Sequence, residues 1–104
     1  MDVLSRLIMG WSDWYPMNKD AINKIPEKPG VYQLNSDSET LYHGQSNDLR
    51  RRLLEHLNSS DSCIQKATNF CYQESDDPEG LESRILKNFR DDHGGNLPPC
   101  NEQS

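Results

Sequence analysis

Five side chains in this sequence could carry a reaction between them: Tyr32, Tyr42, Arg52, His56 and Glu82. Together they suit the hydrolysis of a phosphodiester. That reaction needs an activated water, cover for charge on a phosphorane-like transition state, and help for the leaving oxygen. Preorganised electrostatics is usually the largest contribution. A divalent ion held by a carboxylate such as Glu82 would serve the charge and leaving-group needs. An arginine such as Arg52 can fork onto non-bridging phosphate oxygens. A tyrosine can relay or accept a proton when nearby cations lower its ordinary pKa of ~10. Each residue alone has a plainer reading, since strand tyrosines and helix acids are routine. Their joint spacing is what favours a site.

The elements that must position these groups are legible in the patterning. Residues 30–35 (GVYQLN) alternate apolar and polar, as a half-buried strand does, and 40–44 (TLYHG) read as a second strand. The polar link at 36–39 predicts an antiparallel hairpin, with Tyr32 and Tyr42 on neighbouring strands. Leu49, Leu53 and Leu57 predict a helix over 47–57, capped by Asn47 or Asp48. Arg52 and His56 are four residues apart and share a face of it. Arg50 and Arg51 complete a basic triplet that could touch backbone phosphates. Residues 68–73 (TNFCYQ) are the candidate third strand.

Asp77 as cap and Pro78 at the first helical position open a last helix. Leu81, Ile85 and Phe89 are its expected core stripe, and Gly94-Gly95 its end. Glu82 lies beside that stripe. Glu79 is an alternative ligand, but its place in the first turn suits the helix dipole. Residues 1–29 form a lead-in with Trp11, Trp14 and Tyr15, and Asn18 as the cap of a short helix. These aromatics read as packing over the core, with a binding surface as the alternative. The expectation is an α+β domain over 30–101, a three-stranded sheet flanked by helices, with a tail at 102–104.

Composition sets the bounds. A chain of 104 residues is one domain with one small core. It holds 17 acidic and 11 basic residues, a net charge of −6, where a dedicated nucleic-acid binder is usually basic. Glu74, Asp76, Asp77, Glu79 and Glu82 form an acidic run, with no base inside it, into the start of the last helix. Cys63, Cys71 and Cys100 are an odd set without a CxxC, so neither a disulfide framework nor a zinc knuckle is expected. This fits a reducing compartment. The opening MDVLSRLIMGW lacks the pattern of a signal peptide, and no apolar run has membrane-spanning length. The expectation is a soluble cytoplasmic protein.

The motifs resemble the GIY-YIG nuclease superfamily. Gly30-Val31-Tyr32 matches its first signature and Tyr42-His43-Gly44 its second, with the tyrosines ten positions apart. Arg52 falls ten positions after Tyr42, and His56 four later. LESRIL supplies Glu82 where the family carries its metal-binding glutamate, and Pro98 with Asn101 matches a late P..N element. The resemblance implies a compact α/β domain with one Mg²⁺ or Mn²⁺ on Glu82. It implies Tyr32 as water activator, Tyr42 as its assistant, Arg52 on phosphate charge and His56 in proton transfer. Gly30, Gly44, Gln45 and Asn101 would support the site. Gln45 stands where repair-type members carry a lysine. His43 stands where a small or aliphatic residue is usual, and on a strand it points away from Tyr42, so it is expected to pack internally.

The function implied is a metal-dependent endonuclease acting on duplex or branched DNA. The alternatives are a module of the same fold that binds without cutting, and a nuclease subunit whose DNA affinity comes from a protein partner. No membrane role is expected.

Overall fold

The structure, a computed structural model, describes residues 10–37 and 39–101. The reading of the first nine residues lies outside that range. In chain order the elements are β1 (Tyr15–Pro16), α1 (Lys19–Ile22), β2 (Gly30–Ser36), β3 (Glu39–Ser46), α2 (Leu49–Leu57), a 3₁₀ turn (Ile64–Lys66), β4 (Asn69–Glu74) and α3 (Pro78–Asp92). The strands form one sheet in the order β1-β4-β2-β3, with every pairing antiparallel.

The three strands expected from the sequence are its body. The fourth was not expected. It is a two-residue edge strand from the lead-in, Tyr15 pairing Phe70 and Pro16 pairing Asn69. Proline has no N–H to donate, so Pro16 is tolerated only at such an edge. The lead-in also buries Ile22 and Ile25 in the core. The hairpin is tighter than a four-residue link: Ser36 already pairs Glu39, and Asp37 takes a positive φ of 54°, a conformation Asp tolerates better than most residues.

The register divides the chemistry between two faces. Tyr32 pairs Gly44 and Leu34 pairs Tyr42, so these four side-chain positions share one face. Gln33 pairs His43, and both turn to the other face. On the tyrosine face lies the core, with Tyr32, Leu34 and Phe70 from the sheet against Leu49 and Leu53 of α2 and Ile64 of the 3₁₀ turn. Asp48 caps α2, its side chain accepting from Arg51 N–H. Asp77 caps α3 through Gly80 N–H, with Pro78 opening the helix, as the sequence predicts.

Trp14 of the lead-in does not pack over the core and is 50% exposed, and two expectations for the later chain fail as well. Leu81, Ile85 and Phe89 do not form a buried stripe: no residue of α3 is fully buried. An open cleft on the His43 face separates part of α3 from the sheet. The second failure concerns the cysteines. Cys63 and Cys100 form a disulfide, their Cα atoms 5.7 Å apart although 37 positions separate them in sequence. The fold brings the end of the chain back past the 3₁₀ turn, which spacing alone did not reveal. Cys71 is free and buried.

Candidate active site

Tyr32 projects from the central strand into the core face and is 1% exposed. Its hydroxyl lies 2.6 Å from Nε2 of His56, which α2 presents from its last turn. The rings of Tyr32, Tyr42 and His56 form a triangle, with centroids 5.3 Å from His56 to each tyrosine and 6.1 Å between the tyrosines. Gly44 is what makes room for it. A Cβ at that position would collide with the Tyr32 hydroxyl and stand 2.8 Å from the Tyr42 ring. Gly30 answers a different need, because a Cβ there would collide with the Gln73 carbonyl oxygen and Leu49.

A pocket of about 250 Å³ opens beside the triangle, lined by Tyr42, Arg52, Glu55, His56, Asp61 and Cys100 among others. The structure therefore brings Tyr32, Tyr42, Arg52 and His56 together. A larger cleft of about 890 Å³ lies on the opposite face and contains none of them. A nuclease site needs an open surface that a phosphate can approach, so volume is a poor guide to it.

Electrostatics assigns protonation states. Burial pushes the Tyr32 hydroxyl well above the ordinary tyrosine value, and the neighbouring Tyr42 adds to this; Arg52 acts in the opposite sense. Burial, with the Arg52 charge, holds His56 down at about 4. At neutral pH His56 is therefore uncharged, and with Nε2 unprotonated it accepts a hydrogen bond from Tyr32. Arg52 is held firmly protonated by its hydrogen bond to Glu55 and by the tyrosines.

The basic triplet is less available than the sequence implies. Arg52 bonds Glu55 at 2.9 Å, and Arg51 bonds the same carboxylate at 3.3 Å. Arg50 donates to the Ile25 carbonyl at 2.8 Å and pairs Glu27 at 3.1 Å. Glu27 and Glu55 were not singled out from the sequence. The position of Glu55, three and four residues after two arginines on a helix, was the signal that could have found it.

Glu82 lies on α3, half-buried, outside the pocket but close enough to act electrostatically on Tyr32. Burial raises its carboxyl, and Glu79 raises it further. Among the described residues no ready-made set of three or more His, Cys, Asp or Glu ligands gathers. Nor does Glu82 make a hydrogen bond or ion pair among them. A lone carboxylate with its oxygens unspent fits Mg²⁺, which keeps several waters and takes one or two protein carboxylates.

The remaining predicted residues are structural supports. Asn101 grips the outer edge of β3, its Oδ1 accepting from His43 N–H at 2.8 Å and its Nδ2 donating to His43 C=O at 2.9 Å. Cys100 N–H donates to Leu41 C=O in the same way. Gln45 lies on β3 opposite Val31, on the face away from the tyrosines. His43 is buried between Trp11 and Phe89, as expected.

The sequence family described as "Domain of unknown function (DUF7508)" matches residues 11–92. Among curated proteins, the UvrABC system protein C of Aquifex aeolicus (strain VF5) is 40% identical over 43 residues, covering 41% of this chain and 8% of that protein. The UvrABC system protein C of Thermosipho africanus (strain TCF52B) is 33% identical over 75 residues, covering 72% of this chain and 12% of that protein. The chain thus spans about a tenth of these curated relatives. Among solved structures, the GIY-YIG N-terminal endonuclease domain of UvrC from Thermotoga maritima, bound to its catalytic magnesium, superposes with a TM-score of 0.58 at 25% identity. That match covers 70% of this chain and 94% of the domain.

Proposed function

The chain belongs to the DUF7508 family and is a GIY-YIG domain, homologous to the N-terminal endonuclease domain of UvrC, and from that premise we propose that it hydrolyses phosphodiester bonds of DNA with a divalent ion, at the pocket beside Tyr32 and His56. The observation that most supports this reading is the convergence of Tyr32, Tyr42, Arg52 and His56 from two strands and a helix onto one small surface.

Each residue has a definable role. Arg52 reaches the pocket while leaning on Glu55, and an exposed pair of this kind costs little to open. Its guanidinium can turn to the non-bridging oxygens of a phosphate. Tyr42, on the pocket wall, orders the attacking water. Tyr32 passes its hydroxyl proton to Nε2 of neutral His56 while taking a proton from that water. The hydroxide so formed attacks phosphorus, one P–O ester bond breaks, and the leaving oxygen takes up a proton; the transient His56 imidazolium gives its own back through solvent, which restores the neutral ring. A raised Tyr32 pKa means that no tyrosinate waits in the resting site, so the relay moves both protons together. Mg²⁺ or Mn²⁺, held by Glu82, would supply positive charge to the phosphate and the leaving oxygen. We read the protein as cytoplasmic, where DNA is reached, although the Cys63–Cys100 bond runs against the reduced state usual for thiols there. Among the described residues no helix is long and apolar enough to cross a membrane.

A second reading, a GIY-YIG module that binds nucleic acid or a partner without cutting, draws on the deep burial of the Tyr32 hydroxyl and on Glu55 holding both Arg51 and Arg52. Metal titration followed by thermal unfolding separates the two. An ion that binds the folded state raises the melting temperature by mass action, with about 2.7 kcal/mol at a hundredfold excess over Kd. Wild type is expected to respond to Mg²⁺ or Mn²⁺ and Glu82→Ala is not. A wild type indifferent to both ions favours the binding module.

A further inference from the structure

The face opposite the tyrosines carries a second feature. Trp11 closes one side of the 890 Å³ cleft there, and Ile85 and Phe89 of α3 the other. His43 forms part of its lining, 6% exposed, with its ring centroid 6.1 Å from Trp11 and 5.8 Å from Phe89. Its Nδ1 is buried and has no hydrogen-bond partner. The desolvation cost of that atom is carried inside the fold, since it is closed to solvent. Burial also keeps this histidine neutral, with a pKa of about 4, so it adds no positive charge to the cleft.

The charges around the cleft all have one sign. Exposed Glu39 and Asp92 line it, and no lysine or arginine does. The chain as a whole carries −6. Without a lysine or arginine to neutralise phosphate, and with carboxylates in the lining, a nucleic acid is disfavoured. A cation with an apolar stem is favoured on two counts: the carboxylates attract it, and Trp11 offers a π face. A guanidinium meets both, with a flat charged group that stacks on an aromatic ring.

We infer that this cleft docks an arginine-bearing basic peptide segment of a partner protein. The occupant is identified by charge complementarity and by the Trp11 wall, and the inference does not rest on the nuclease reading.

Binding is measured without any cleavage assay. Trp14→Phe leaves Trp11 as the sole tryptophan, so its emission reports on the cleft. The probe is acetyl-Gly-Arg-Leu-Arg-Gly-amide, beside its glutamate counterpart and a short single-stranded deoxyoligonucleotide. Calorimetry on the unsubstituted chain repeats the titration in case Trp14→Phe fails to fold. The expected result is that the arginine peptide, and neither of the other two ligands, changes the Trp11 emission saturably, with calorimetry showing the same preference of the arginine over the glutamate peptide. It should weaken with salt and fall roughly tenfold in the Glu39→Gln/Asp92→Asn double variant. No saturable binding, equal binding of the glutamate peptide, an unchanged double variant, or an equal Trp11 response to the oligonucleotide alone would each overturn the inference.

Discussion

At the scale of residues, the account turns on the 2.6 Å contact between Tyr32 and His56. It exists because His56 is kept neutral, and that neutrality has a consequence for stability. His56 and His43 are each held at about 4 in the folded chain, against an ordinary value near 6.5. Between those values the unfolded chain binds more protons than the folded one. Stability is therefore full above pH 6.5 and drains as pH falls toward 4, by on the order of a few kcal/mol for the two together. Glu82, whose carboxyl is raised, contributes with the opposite sign near the carboxylate range. The melting temperature is expected to fall between pH 6.5 and 4.5, and less steeply in a His56→Gln protein. A flat profile in wild type would mean that the histidines are not buried as described.

At the scale of elements, the C-terminal segment acts as a clasp. Asn101 and Cys100 supply the outer edge of β3 with partners, and the Cys63–Cys100 bond ties that segment to the turn after α2. Loop-closure entropy assigns such a cross-link about 4 kcal/mol in the unfolded state. Two outcomes are expected: one titratable thiol per denatured, unreduced chain, from Cys71, and a lower melting temperature after reduction. Three thiols without reductant would remove the bond from the account and restore the simplest view of a cytoplasmic protein.

The same elements show what the sequence could tell. Strict alternation in GVYQLN and the four-residue leucine spacing of α2 located β2, β3 and α2 well, because one buried face dictates each period. Signature spacing then placed Tyr32, Tyr42, Arg52 and His56 on elements that do converge. β1 was missed because two residues carry no period. The half-exposed stripe of α3 was missed because apolar spacing says which face is turned inward, and not whether the opposing surface fills the gap. Glu55 was missed because a helix acid beside arginines reads as an ordinary surface pair.

At the scale of the whole molecule, the proposed activity asks an acidic chain to approach a polyanion. The basic triplet does not resolve this by itself, since Arg50 leans on Glu27 while Arg51 and Arg52 share Glu55. Binding to DNA in isolation is accordingly expected to be weak, and to weaken further as salt rises. Glu55→Gln should release two arginines and tighten binding severalfold at low salt, read by fluorescence anisotropy of a labelled duplex. No gain would mean that these arginines do not face the DNA. If a partner supplies positive charge, as in the alternative of a nuclease subunit, an assay of the chain alone calls for low ionic strength.

The most direct test of the central claim is nicking of supercoiled duplex DNA at low salt, with Mg²⁺ or Mn²⁺, by wild type, Arg52→Ala and Glu82→Ala purified in parallel. Removing a preorganised charge from a phosphoryl transition state costs roughly a hundredfold or more in rate. The account predicts metal-dependent nicking by wild type and a loss of at least that size in both variants. Equal trace nicking by all three proteins would contradict it.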